Sequence, residues 1–160
     1  MPDKTNAARA LDRLKLRYTL VGYEVDVADL SAETVARKIG LAEAQVLKTL
    51  VVRGERTGVF FAVVPAGREL DLKAAARAMS DKKVAPVALK EVEPLTGYVR
   101  GGVTALAAKR AFPVVVDDSA LAFDVVSVSA GVRGTQILLA PADYVAATRA
   151  KVAPLSTTPA

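Results

Sequence analysis

A chain of 160 residues with no histidine and no cysteine lacks disulfides, thiolate metal sites, a cysteine nucleophile, the Ser-His-Asp triad and the usual ligands of catalytic zinc. An apolar fraction of 52% against 24% charged is the balance of one globular domain over residues 1–160, large enough to bury a core without staples. The net charge of +5 favours an anionic partner such as nucleic acid, with an ordinary basic surface as the equal alternative.

Chemistry must then come from carboxylates, lysine and arginine, hydroxyls, backbone N–H groups or the substrate itself. Met1-Pro2-Asp3-Lys4-Thr5 lacks the apolar stretch of a signal peptide. No run approaches the roughly 20 apolar residues that cross a bilayer. The expectation is a cytoplasmic protein with no membrane partner.

In chain order, Ala7, Leu11, Leu14 and Tyr18 recur at helical spacing and predict an amphipathic helix over residues 5–16. Residues 19–25 read as extended. Ser31 is an N-cap candidate, Glu33 suits the positive end of the helix dipole, and Val35 and Ile39 lie one turn apart before Gly40 closes a second short helix. Residues 47–53 and 59–64 are β-branched and aromatic around Gly54-Glu55-Arg56-Thr57-Gly58, a β-hairpin pattern. Asp71 can cap an alanine-rich helix to about Met79, and residues 84–87 read as a short strand.

A helix over residues 89–95 leads into the loop Thr96-Gly97-Tyr98-Val99-Arg100-Gly101-Gly102. Strands are expected at 112–116, 123–128 and 136–139, a closing helix at 141–151, and a loose tail after Pro154. Strands outnumber helices without strict alternation. The fold class is therefore α+β, a curved mixed sheet or barrel with helices packed outside.

Alternation puts Lys48, Leu50 and Val52 on one face of the first hairpin strand and Leu47, Thr49 and Val51 on the other. A lysine among apolar neighbours is costly unless its ammonium meets an anion or opens into a cleft; the plain alternative is a strand-end lysine reaching back to water. Three glycines in the seven residues from Thr96 permit close approach of backbone to a ligand, and their N–H groups suit a carbonyl- or phosphate-binding nest, although ordinary turns use glycine too. Ser129-Ala130-Gly131-Val132-Arg133-Gly134 is either a tight connection or a second wall of the same pocket, with Ser129 or Arg133 facing the ligand. Arg53, Arg100, Lys109, Arg110 and Arg133 are candidate phosphate contacts, and Tyr23 is a candidate stacking or hydrogen-bonding group.

Tyr23-Glu24 followed by Asp26, Gln45-Val46-Leu47-Lys48-Thr49-Leu50, Leu70-Asp71-Leu72-Lys73, Lys82-Lys83-Val84, Thr96-Gly97-Tyr98, Gly101-Gly102 and the Ser129 to Gly134 segment occur in that order. Together they resemble the YbaK/EbsC family of aminoacyl-tRNA deacylases, which is similar to the editing domain inserted into bacterial prolyl-tRNA synthetases. The resemblance implies a metal-independent hydrolase, without cofactor, that cleaves the ester of mischarged tRNA in trans, most often Cys-tRNA(Pro), with prolyl-tRNA synthetase as a possible partner. It implies that Lys48 lies in the pocket near the ester and phosphate, and that backbone groups of Gly101 and Gly102 hold the acyl carbonyl. Tyr23, Thr96, Gly97, Tyr98, Ser129, Gly131, Arg133 and Gln136 would form the substrate site, with Arg53, Arg100, Lys109 and Arg110 toward the tRNA. It further implies substrate-assisted chemistry, in which the thiol of a cysteinyl group attacks its own ester.

Three positions depart from the family pattern: Val25 stands where histidine is common, Ala105 where proline is common, and Gln136 where aspartate is common. They leave amino-acid choice open between Cys-tRNA(Pro) and Ala-tRNA(Pro) or another mischarged tRNA. The amide at Gln136 also keeps open a non-catalytic tRNA- or synthetase-binding module. A generic sequence-specific nucleic-acid binder is disfavoured, since only 5% of residues are aromatic.

Overall fold

In a computed structural model describing residues 2–157, the chain is built around one hairpin that is apolar on both faces. Strands β2 (Leu47–Gly54) and β3 (Gly58–Pro65) pair antiparallel, with Lys48 opposite Val64 and Val52 opposite Phe60. The turn between them is held from outside. The Asp81 carboxylate accepts the N–H groups of Arg56 (3.1 Å) and Thr57 (2.9 Å) and the Thr57 hydroxyl (2.7 Å).

Around the hairpin a five-stranded sheet forms in the order β4-β2-β3-β5-β8, adding β4 (Val84–Pro86) antiparallel and β5 (Val114–Asp117) and β8 (Lys151–Ala153) parallel. A second, antiparallel sheet has the order β1-β7-β6, from β1 (Thr19–Gly22), β6 (Val126–Ser129) and β7 (Thr135–Leu139). The two meet through a single parallel bridge between Val46 and Ser127. The mixed α+β architecture agrees with expectation, whereas the barrel alternative does not: the sheets are not closed into one.

Alternation along β2 and β3 sorts side chains into two cores. Leu47, Val51, Phe61 and Val63 join Val116, Val128 and Ile137 between the sheets, roofed by Ala7, Ala8 and Leu11 of α1 (Asn6–Arg13) and Tyr144 of α5 (Pro141–Thr148). On the opposite face Val52, Phe60, Ala62 and Val64 pack against Ala75 and Ala76 of α3 (Leu72–Ala78) and against Leu155. A third cluster sets Val35 and Ala36 of α2 (Ala32–Ile39) on Val46 and Ala66. The expected caps are present: Ser31 accepts from Thr34 N–H, Asp71 from Lys73 and Ala74 N–H, and Gly40 ends α2 at φ 76°.

Differences from expectation lie at the ends of elements. The first helix stops at Arg13, so Leu14 is 54% exposed rather than part of the buried stripe. β1 ends at Gly22, and the later strands begin at Val114 and Val126, each shorter than its apolar run. The closing helix stops at Thr148 because Arg149 turns left-handed, φ 55°, and Lys151 begins β8 instead. The tail is docked as far as it is described: Leu155 is fully buried and Thr157 N–H donates to the Glu69 carbonyl. Residues 158–160 of that expected loose tail lie outside the described residues.

Asp117, 2% exposed, makes this docking possible. Its carboxylate accepts the N–H groups of Leu155 (2.8 Å) and Ser156 (3.0 Å) and both the N–H and the hydroxyl of Ser119. Burial by itself pushes the carboxyl up, but the donors from Ser119, Leu155 and Ser156 together outweigh burial and hold it below its ordinary value. Asp117→Ala, which strands the buried N–H of Leu155 and the part-buried N–H groups of Ser156 and Ser119, should cost about 2–4 kcal/mol in urea unfolding at neutral pH, and Asp117→Asn less. Because the native pKa is lowered, this contribution is fully present above the ordinary carboxylate range and is lost as pH falls through the lower native value. Wild type should therefore lose more stability than Asp117→Asn on acidification.

Candidate functional site

The half-buried Lys48 leaves the sheet on the face it shares with Leu50 and Val52 and borders a cleft of about 610 Å³. Helix α2 and the segment before it supply one wall with Leu30, Ser31 and Glu33; Leu70 and Leu72 supply another. Pro86, Val87, Leu89 and Val92, from β4 into α4 (Leu89–Thr96), continue the apolar lining. Arg100, Gly101 and Val103 cross one side, and Ser129 and Gln136, paired across β6 and β7, close it.

Three charged side chains line this mostly apolar space: Lys48, Arg100 and Glu33. Among the described residues the Lys48 ammonium makes neither a hydrogen bond nor an ion pair; the two salt bridges, Lys4–Asp12 and Arg53–Glu91, lie elsewhere. Glu33 is fixed by the Gly67 N–H, which donates to its Oε1 at 2.7 Å. That hydrogen bond holds its carboxyl below the usual range against partial burial, and the positive charge of Lys48 contributes further. Thr49, on the other face of β2, also borders the cleft, but its hydroxyl is buried beside Tyr144.

The glycine-punctuated loop is a braced wall. Thr96 donates its hydroxyl to the Val92 carbonyl (2.8 Å) and accepts Tyr98 N–H (3.1 Å), while Gly97, φ 81°, ends α4. The Tyr98 hydroxyl donates to the Leu106 carbonyl at 2.6 Å, and its ring lies so close to Gly131 that a Cβ there would stand 2.8 Å from the ring. Gly102 lets this loop press on the 131–134 turn, since a Cβ would sit 3.1 Å from the Val132 carbonyl carbon. Arg133 Nε donates to the Arg100 carbonyl at 2.8 Å and joins the two turns.

Of the residues singled out from sequence, the fold gathers Lys48, Gly101, Ser129, Gln136 and Arg100 at the cleft. Gly101 N–H makes no hydrogen bond among the described residues, whereas Gly102 N–H donates to the Val99 carbonyl at 2.9 Å. Thr96, Gly97, Tyr98, Gly102, Gly131 and Arg133 brace the wall from behind. Tyr23 packs on the α2 cluster, Val25 rests on Gly134, and Ala105 packs on the main core, all apart from the cleft lining. Arg53 pairs with Glu91 at 3.4 Å, and Lys109 and Arg110 are exposed beyond the loop. From the sequence Glu33 is only a dipole partner and Leu30, Leu70, Leu72 and Leu89 have no site role, although Leu70 and Leu72 stand in one of the motifs that carry the family resemblance; their convergence on the cleft is long-range and has no local signal.

Gln136 is 5% exposed, and its Oε1 accepts the Ser127 hydroxyl at 2.8 Å. Its amide nitrogen has no partner in the described chain and faces the cleft. The Ser129 hydroxyl oxygen accepts Gly131 N–H at 3.1 Å, leaving its own proton to give. The site thus combines one unpaired ammonium with several free donors over an apolar floor, an arrangement that polarises a carbonyl or meets an anion. Among the described residues no group of three or more acidic side chains forms a metal-binding cluster.

An α+β domain with a donor-lined, largely apolar cleft is thereby defined as a binding or hydrolytic module for an acyl- or phosphate-bearing ligand. A family model for the aminoacyl-tRNA editing domain matches residues 27–147. The "Putative Cys-tRNA(Pro)/Cys-tRNA(Cys) deacylase EbsC" of Enterococcus faecalis is 40% identical over 154 residues, 96% of this chain and 94% of the relative. The chain belongs to the aminoacyl-tRNA editing domain family. Among solved structures, a hypothetical protein, APE2540, superposes with a TM-score of 0.87 at 25% identity, covering 96% of this chain and all of the other. The crystal structure of "a putative trans-editing enzyme for prolyl tRNA synthetase" gives 0.80 at 26%, covering 98% of this chain and all of the other.

Gly102→Ala should separate wall from fold. The added methyl meets backbone that cannot swing aside, so the two turns must part; stability should fall by about 1–2 kcal/mol, while turnover falls well beyond what the unfolded fraction explains. Urea unfolding and single-turnover deacylation, measured together, check this.

Proposed function

We propose that this protein hydrolyses the ester linking a wrongly attached amino acid to the terminal ribose of tRNA, acting in trans, with Cys-tRNA(Pro) as its first substrate. The observation that carries the reading is Lys48, an ammonium left unpaired among the described residues on the lining of the largely apolar cleft of an aminoacyl-tRNA editing domain. The name of the 40% identical relative supports the deacylase activity and the cysteinyl substrate, and the trans-editing neighbour supports prolyl-tRNA synthetase as a partner.

In this reading Lys48 and the free Gly101 N–H stabilise the oxyanion that develops on the acyl carbonyl. With a cysteinyl group, its thiol attacks the carbonyl carbon, the carbon–oxygen ester bond breaks, the ribose oxygen takes the proton, and water then opens the thioester so formed. Ser129 and Gln136 contact the acyl end, and Arg100 reaches the terminal phosphate. Arg53, Lys109 and Arg110 follow the backbone of the acceptor end. The bracing residues Thr96, Gly97, Tyr98, Gly102, Gly131 and Arg133 hold the wall, and Tyr23 supports α2. An alanyl ester remains the alternative substrate, because Gln136 supplies an amide at the cleft end.

Lys48→Ala should fold with little change in melting temperature, since it removes a partly desolvated charge, yet slow single-turnover deacylation about 100-fold to 1,000-fold. Lys48→Arg should restore only part, a planar fork being a poor substitute for a compact ammonium. Both are compared with wild type on Cys-tRNA(Pro) and Ala-tRNA(Pro). A folded Lys48→Ala protein with undiminished hydrolysis removes Lys48 from the reaction, and a wild type inert on a panel of mischarged tRNAs leaves the binding-module reading.

The hydrolysis is proposed to be metal-independent, because a chain without histidine or cysteine has no conventional zinc ligand set. Incubation with chelator, tRNA folding held constant, should leave the rate unchanged; loss of activity with recovery on added zinc overturns the point.

A further inference from the structure

The cleft holds one anion and one nearby cation that the fold keeps from neutralising each other. Glu33 is the only carboxylate among its described lining residues, and Lys48, which contributes to keeping it ionised, forms no ion pair with it within 4.0 Å. Its position is set by the chain: Ser31 caps α2, placing Glu33 in the first turn, and Gly67 N–H holds one carboxylate oxygen at 2.7 Å. Gly67 adopts φ 82° with Glu43 behind it, where a Cβ would stand 3.1 Å from Glu43 Oε1, so this donor is itself fixed. Gly67 apart, the Glu33 carboxylate accepts a hydrogen bond from no other residue among those described, its own backbone N–H being the one further donor near it.

An aminoacyl ester of tRNA carries two charges of opposite sign close together, an α-ammonium on the amino acid and the phosphate of the terminal nucleotide. Placing that ammonium in a cleft with Lys48 and Arg100 is repulsive unless an anion offsets it. Gln136 cannot do so. Its oxygen is occupied by the Ser127 hydroxyl, and the nitrogen facing the cleft is itself a donor.

We propose that Glu33 is the counter-ion for the α-ammonium of the aminoacyl group, so that the cleft selects substrates bearing a free α-amino group, while the Gln136 amide is left to read an acceptor atom elsewhere on the acyl chain. This rests on the deacylase reading and deepens it. Glu33 is a binding residue: it orients the acyl group so that the carbonyl faces Lys48 and Gly101, and it takes no part in bond breaking.

The test crosses one substitution with one atom of the substrate. Single-turnover deacylation is measured for wild type and Glu33→Gln on Cys-tRNA(Pro) and Ala-tRNA(Pro), and on the same tRNA charged with mercaptolactyl or lactyl groups, in which a hydroxyl replaces the ammonium. Glutamine keeps an oxygen for Gly67 N–H, and a thermal melt verifies the fold. Glu33→Gln should lose roughly 10-fold to 100-fold in kcat/KM on the aminoacyl substrates, the size expected of one charge-assisted contact, and less than about 3-fold on the hydroxyacyl ones. Intrinsic differences in ester reactivity cancel in the ratio of ratios. Equal losses on both substrate classes, or no loss on either, overturn the assignment while leaving the deacylase reading intact. A wild type that hydrolyses none of the four esters overturns that reading and this inference with it.

Discussion

The organising constraint is a lysine on a strand that has apolar layers on both sides. β2 cannot turn Lys48 toward bulk water without also turning Leu50 and Val52, because the three share a face through the pleat and Val52 and Leu50 belong to the core beneath α3. An ammonium there is tolerable only where the layer above is open. The layer is open because α2, α3 and α4 stop short of covering the Lys48 end of the sheet, leaving their terminal residues, Leu72 and Leu89 among them, around a gap of about 610 Å³. The cleft is what remains once one strand position is denied an apolar neighbour.

Rigidity of the wall follows from a different economy. Residues 97–113 contain no regular element, yet they carry Arg100 and Gly101. Their order comes from side chains acting as backbone partners: Thr96 at the helix end, Tyr98 spanning to Leu106, Arg133 holding the Arg100 carbonyl. Tight contact at Gly102 and Gly131 replaces the ladder hydrogen bonds that a strand would have provided. Residues that look like pocket glycines in the sequence thus divide between one that faces the cleft and others that allow two turns to touch.

Charge is arranged with similar restraint. A chain of net charge +5 puts only two cations on the cleft lining and one anion across from them. In a space walled by leucine and valine each such charge is felt over a longer range than at the surface, so the electrostatic character of the cleft is decided by very few side chains. The neutral amide of Gln136 therefore shapes the cleft more than the same group would on an exposed face.

Local physics was legible in the amino-acid order. Caps at Ser31 and Asp71, the stop at Gly40, the hairpin and the alternation that isolates Lys48 are properties of a few neighbouring residues, and each reads directly from spacing and turn chemistry. The absence of histidine and cysteine likewise settles which side chains are available for chemistry. Element ends were less legible: Arg149 reverses the chain because Lys151 to Ala153 gain pairing with β5, a partner more than thirty residues away. Docking of the tail on Asp117, the Gly67 grip on Glu33 and the meeting of Leu30, Leu70 and Leu89 around Lys48 all join positions at least 18 apart. No local pattern encodes such meetings, because their free energy exists only after the sheets have brought those surfaces together; the sequence by itself determined the elements and the one costly lysine, and tertiary packing alone decided what that lysine faces.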